Sequence, residues 1–138
     1  MSLVLDNSVA LAWCFEDEQT PAVMALLDRV VEGGAMVPQL WPIEALNGLL
    51  TAQRRGRIEP ETRSRMAGLL AELPITLDDQ TATQLWTATA RLAELHGLTA
   101  YDATYLELAI RHKLPLATND RALVAAARAE GIVLLETV

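Results

Sequence analysis

The amino-acid sequence predicts an α/β fold, a three-layer α/β/α sandwich around a central, mostly parallel sheet of four to five short strands. Three observations carry that prediction. Apolar runs of only three or four residues recur at 3–5, 35–37, 75–77, 114–117 and 133–135. Between them lie segments of helical periodicity, opened by Pro, Asp or Thr and in two cases closed by Gly. Short strands joined through helices run parallel, and a parallel sheet needs helices on both faces to bury its apolar side chains.

The first run, residues 3–5, ends at Asp6-Asn7-Ser8, residue types that stop strands and cap helices, and a helix follows over 9–15. Glu16-Asp17-Glu18 is a solvated break. Pro21 opens an amphipathic helix through Val31 that stops at Gly33-Gly34, and residues 35–37 form the second strand. Trp41-Pro42-Ile43-Glu44 starts the next helix with Pro in its first turn, and apolar residues at 43, 46, 49 and 50 keep the helical period up to Arg54-Arg55-Gly56-Arg57. A helix over about 60–73 completes a helical hairpin. Pro74 breaks the chain before the third strand at 75–77. Asp78 or Asp79 is expected to cap a long helix to His96, closed by Gly97, and Thr99 opens another through about His112. Residues 114–117 form the fourth strand, Asp120 caps a helix to about Glu130, and 133–135 make a final short strand.

Composition bounds the function. With 138 residues, 51% of them hydrophobic, and only 7 Gly and 6 Pro, the chain is sized for one domain over residues 1–138 with a buried core. Eighteen acids against eleven Lys and Arg give a formal net charge of −7, which counts against a bulk electrostatic grip on nucleic acid. Cys14 is the single cysteine, so an internal disulfide framework and a Cys-based zinc site are excluded. The first residues have no basic signal-peptide pattern, and no run of about 18 apolar residues exists. The expectation is a cytoplasmic protein with no membrane association.

In open parallel sheets the ligand site lies beyond the carboxyl ends of the strands, where the chain turns into the next helix. Four acids stand near such turns: Asp6 after the first strand, Glu44 in the helix after the second, Asp102 in the helix opened by Thr99, and Asp120 after the fourth. Each has a plain structural alternative. Asp6 and Asp120 suit N-caps, Glu44 suits a helix dipole, and Thr99-Ala100-Tyr101-Asp102 has the form of a capping box. Together they mean more, because two like charges about 4 Å apart repel by about 4 kcal/mol at an effective dielectric near 20. Such a cluster must protonate, spread or hold a cation. An all-oxygen set favours a hard ion, Mg²⁺ or Mn²⁺, and phosphate ester hydrolysis is a common use of such a site.

Four motifs in order resemble those of the PIN domain, and more narrowly a VapC-type toxin: Val4-Leu5-Asp6-Asn7-Ser8-Val9, Pro42-Ile43-Glu44, Tyr101-Asp102-Ala103 followed by Tyr105 and Ala109, and Ala117-Thr118-Asn119-Asp120 followed by Leu123. The resemblance covers essentially the whole chain. It implies a metal-dependent ribonuclease with Asp6, Glu44, Asp102 and Asp120 as catalytic and metal-binding acids, using Mg²⁺ or Mn²⁺. It further implies that Ser8 and Thr118 orient carboxylates or metal waters and that Asn119 has a supporting role. Hydrolysis leaving 5′-phosphate and 3′-hydroxyl ends, a small antitoxin that blocks the site, and a homodimer are also implied by the resemblance.

Other residues carry weaker signals. Arg121, beside Asp120, is placed to contact a substrate phosphate. The arginines at 54, 55, 57, 63 and 65 suit either RNA or partner contact, or a solvated helix end. His96 and His112 near helix ends, and Trp13, Trp41 and Trp86, are read mainly as structural or packing residues. Gly33-Gly34 lacks the surroundings of a phosphate loop. A haloacid-dehalogenase-type phosphatase would need an Asp where Ser8 stands. A phosphoacceptor receiver needs an acid pair after the first strand and a Lys after a late strand, but Lys113, the only lysine, precedes the fourth. The rival from another class is a non-catalytic RNA- or protein-binding module of the same fold.

Overall fold

The computed structural model describes residues 3–138. Its elements are β1 (Val4–Leu5), α1 (Asn7–Cys14), α2 (Pro21–Gly33), β2 (Ala35–Val37), α3 (Trp41–Arg54), α4 (Pro60–Glu72), β3 (Ile75–Leu77), α5 (Thr81–Gln84), α6 (Ala90–His96), α7 (Ala100–His112), β4 (Leu116–Ala117) and α8 (Arg121–Ala129). A short 3₁₀ turn, Glu16–Glu18, separates α1 from α2, and a π turn, Leu85–Thr89, lies between α5 and α6. The four strands form one all-parallel sheet in the order β3-β2-β1-β4, flanked by helices.

That order places the site. From β1 the chain winds outward through β2 and β3, then returns to lay β4 on the other side of β1. The strand order therefore reverses direction between β1 and β4, and such a switch point opens a crevice at the strands' carboxyl ends. Val4 pairs with both Met36 and Leu116, and Leu5 with Ala117, so Asp6 and Thr118 leave the sheet side by side. The Asp6 backbone N–H, bonded to the Ala117 carbonyl at 3.0 Å, holds this register to the last residue.

One buried apolar cluster supports the sheet, built from Leu3, Val4, Leu5, Val9, Leu106 and Leu116 among others. Helix α7 is its central rod. Seven consecutive residues, 103–109, are buried, because α7 packs on β1 and β4 and is covered by α8 and by the helical stretch before it. No helix among the described residues is long and apolar enough to cross a membrane.

Several elements differ from the sequence expectation. The final strand over 133–135 is reduced to a single bridge between Leu134 and Leu116. Helix α1 starts at Asn7, two residues earlier than expected, with Asp6 at the N-cap position but making no side-chain cap. The long helix is not capped by Asp78 or Asp79. Its N-cap is Gln80, and the π turn interrupts it. Asp78 is committed elsewhere: its carboxylate accepts from Arg111 Nη1 at 3.0 Å, from Arg111 Nη2 at 2.7 Å and from the Thr81 hydroxyl at 3.1 Å.

Candidate active site

Four helix N-termini gather the proposed acids. Asp6 and Asp120 occupy the N-cap positions of α1 and α8, while Glu44 and Asp102 lie in the first turns of α3 and α7. Each thus sits where unpaired backbone N–H groups favour negative charge.

Asp6 is the deepest of the four at 4% exposure. Both neighbouring hydroxyls converge on one of its oxygens, Oδ2: Ser8 donates at 2.6 Å and Thr118 at 2.7 Å. Neither hydroxyl is spent by that bond. Ser8 Oγ accepts the Asn119 backbone N–H at 2.9 Å, and Thr118 Oγ1 accepts the Asp120 backbone N–H at 3.0 Å. The loop after β4 is therefore tied to the Asp6 carboxylate through two hydroxyls, a relay between residues more than 100 positions apart. Asp120 itself caps α8, its Oδ1 accepting from the Leu123 N–H at 2.9 Å.

Glu44 and Asp102 close the other side. The Tyr105 phenol donates to Glu44 Oε1 at 2.5 Å. Thr99 performs the capping expected of it, its hydroxyl accepting the Asp102 backbone N–H at 3.1 Å. Electrostatics link all four acids. Burial raises the Asp6 pKa, with the Asp120 charge adding, against the opposing hydrogen bonds from Ser8 and Thr118. Burial also raises Glu44, and the charges of Asp6 and Asp102 raise it further. Asp102 is pushed up to about 6 by burial and by the charges of Asp120 and Asp6. The four carboxylates are electrostatically coupled, and among the described residues none of them is paired with a cation.

The remaining candidates fall into place around it. Arg121, the first residue of α8, is exposed and enters no ion pair. Asn119 is exposed, and with Ser8, Gly48, Thr51 and Arg55 it lines a groove of about 340 Å³ between α1 and α3. Arg57 is already engaged: it bonds Asp17 and Glu18, each at 2.7 Å, and stacks over the Phe15 ring at 4.0 Å. Arg63 bonds Gln53, and Arg54, Arg55 and Arg65 are exposed. His96 pairs with Glu130 at 2.8 Å, and His112 lies beside Arg111, so neither histidine touches the acids. Trp13 and Trp41 are buried, whereas Trp86, expected in core or interface packing, lies in the π turn and is 84% exposed.

Sequence reasoning gave Tyr105 no role of its own. Its position three residues after Asp102 puts both on one helical face, and a buried phenol requires a hydrogen-bond partner, so a signal was present.

The PIN domain family model matches residues 3–135. The chain belongs to the PIN domain family. No curated protein sequence matches it significantly. Among solved structures, this PIN domain is similar to PAE2754 from Pyrobaculum aerophilum, with 26% identity over 91% of this chain and 84% of that one and a TM-score of 0.67. It also shares its fold with FitAcB from Neisseria gonorrhoeae, at 18% identity, 98% and 97% coverage and a TM-score of 0.67. VapBC2 from Rickettsia felis, solved bound to a DNA fragment from its promoter, matches at 12% identity, 97% coverage of each chain and a TM-score of 0.67.

PIN domains are generally nucleases, and PIN nucleases generally use divalent metal ions. The donor set here fits such an ion. All donors are oxygens, they repel one another, and Mg²⁺ takes only one or two carboxylates directly while keeping several waters. The fit is an open one: among the described residues, no three Asp, Glu, His or Cys side chains close into a ready metal cage.

Proposed function

We propose that this PIN domain is a metal-dependent ribonuclease of the VapC toxin type, hydrolysing RNA phosphodiester bonds with Mg²⁺ or Mn²⁺ and inhibited by a cognate antitoxin. The observation that carries the reading is the convergence of Asp6, Glu44, Asp102 and Asp120 near the β1/β4 switch point, with none of them ion-paired among the described residues. Asp6 and Asp102 would be the direct ligands, and Glu44 and Asp120 would complete the shell or hold a second ion. When bound, a divalent ion supplies activation of water and polarisation of the phosphoryl oxygen.

The residues of the chain supply placement. Ser8 and Thr118 saturate Oδ2 of Asp6, so Oδ1, which receives neither hydroxyl, is the oxygen offered to an ion. Asn119, through its backbone bond to Ser8, fixes the loop that carries Asp120. Arg121 meets a substrate phosphate at the rim. The net charge of −7 fits this reading, since the four acids account for four of those seven charges and bound ions offset them. RNA binding is accordingly weak without metal. A homodimer in the cytoplasm, held inactive by its antitoxin, completes the proposal.

The test is cleavage of RNA by the purified protein in Mg²⁺ or Mn²⁺, with EDTA and Asp6→Ala as controls and with end-group analysis of the products. The expected result is metal-dependent cleavage giving 5′-phosphate and 3′-hydroxyl ends, lost in Asp6→Ala. Cleavage that survives EDTA or Asp6→Ala overturns the reading. RNA binding without cleavage under any divalent ion points instead to the non-catalytic binding module.

A further inference from the structure

Tyr105 is the largest fully buried side chain among the described residues, at 0% exposure. Its hydroxyl joins two elements. From α7 it donates to Glu44 Oε1 on α3, 61 residues away in sequence, at 2.5 Å. The ring is held by the core, and the phenol's one proton goes to Glu44. Glu44, by contrast, is only partly buried and has three side-chain torsions. Repelled by Asp6 and Asp102, an untethered Glu44 would swing out toward water.

We propose that Tyr105 is a positioning residue: its phenol fixes Oε1 of Glu44 and so presents Oε2 as the atom that Glu44 offers to a divalent ion. The inference rests on the metal-nuclease reading above. It adds that α7 has two functions, placing Asp102 directly and placing Glu44 through Tyr105 three residues later on the same face. With no accessible surface, Tyr105 makes no contact with RNA, so its contribution lies in the turnover step and in metal binding and not in substrate affinity. Groups that orient metal ligands from behind typically change metal affinity or activity by about ten- to hundredfold when removed.

The experiment pairs Tyr105→Phe, which removes only the hydroxyl, with calorimetric titration of Mn²⁺ in the absence of RNA. The expected result is Mn²⁺ affinity weakened about tenfold and kcat on RNA lowered about ten- to hundredfold, with KM for RNA unchanged. In a Glu44→Ala background, Tyr105→Phe has no further effect, because its only route to the ion has gone. Leu106→Val, an equally buried neighbour on the same helix, lowers thermal stability without changing Mn²⁺ affinity. Should Tyr105→Phe fail to fold, Tyr105→Met, which fills core space without a hydroxyl, carries the same expectation. Unchanged Mn²⁺ affinity in Tyr105→Phe, an equal loss in both backgrounds, or no Mn²⁺ binding by the parent protein overturns the proposal. If the parent binds Mn²⁺ but cuts no RNA, the ribonuclease reading fails and the calorimetric comparison decides the role of Tyr105 independently.

Discussion

Asp6 and Asp78 invite comparison. Each directly follows a strand of the same parallel sheet, and each is 4% exposed. Asp78 meets a two-nitrogen grip from Arg111, which also bonds Glu107 at 2.8 Å. Burial raises the Asp78 pKa, but the Arg111 hydrogen bonds and charge outweigh it and leave the carboxyl below its ordinary value. At Asp6 burial dominates, the donors that oppose it are uncharged, and the charge that adds to it is another carboxylate, Asp120, so its pKa moves the opposite way. Equal burial thus serves two purposes. Where the chain supplies its own cation, a buried acid ties elements together; where it supplies more acids instead, the site is reserved for a cation from outside.

The largest effect that can break this contrast comes from Asp6→Asn. If the Asp6 region is for chemistry, RNA cleavage falls about 10³-fold, equivalent to about 4 kcal/mol of lost transition-state stabilisation. The metal-free fold keeps its stability by thermal unfolding, because one repelling charge has been removed. A destabilised Asp6→Asn protein with full activity would place Asp6 in the structural class. Arg111→Ala is the reciprocal change. It leaves Asp78 and Glu107 buried without a cation and lowers unfolding free energy by about 3 kcal/mol in urea titration. Combining it with Asp78→Asn and Glu107→Gln recovers most of that loss, since no unpaired charge then remains.

This comparison also explains what the sequence could reveal. The four acids were legible because each lies at a strand end or a helix start, and β/α order alone brings such positions to one edge of a sheet. Asp78 occupies the same kind of position, and so it reads as a helix cap. Its true partner, Arg111, lies 33 residues away on α7, and their meeting is a tertiary fact. The π turn at Leu85–Thr89 and the outward Trp86 escaped for a related reason. No Pro or Gly marks the irregularity, so the helical period ran on unbroken in the residues. The run at 133–135 has the composition of a strand, but only Leu134 finds a partner at the β4 edge, β4 itself being two residues long.

Thr118 sharpens the comparison at a smaller scale, because it is the donor that Asp6 has in place of an arginine. Its hydroxyl donates to Asp6 and accepts from the Asp120 N–H, so Thr118→Val removes two hydrogen bonds without changing shape. The expected cost is about 2 kcal/mol of stability. Cleavage should fall as well, through a displaced Asp120 loop. Ser8→Ala, whose relay ends at the exposed Asn119, has a smaller effect on stability by the same measurement. Equal losses from the two variants would mean that the loop after β4 is not held through Thr118.

The last and smallest effect is one of sign. Asp102 has a folded pKa of about 6 against an ordinary value of 3.8, so between those values the folded metal-free protein binds a proton that the unfolded chain has released. Its contribution to stability is therefore complete below about pH 4 and is lost as pH rises through 6. Asp78 runs the other way: its contribution is present above the ordinary carboxyl range and is lost as pH falls through its lowered pKa. Asp102→Asn should reduce the decline between pH 4 and 6, leaving the part that Asp6 and Glu44 contribute, and stabilise the metal-free protein at pH 7 by about 1 kcal/mol, a value discounted for partial solvent exposure. Thermal unfolding across that pH range measures it. Saturating Mg²⁺ or Mn²⁺ should invert the order at pH 7, because an ion bound to the folded state stabilises the parent protein more than a variant that has lost a ligand. A decline undiminished in Asp102→Asn would assign the slope to Asp6 and Glu44, and an order unchanged by metal would mean that Asp102 is not where the outside cation binds.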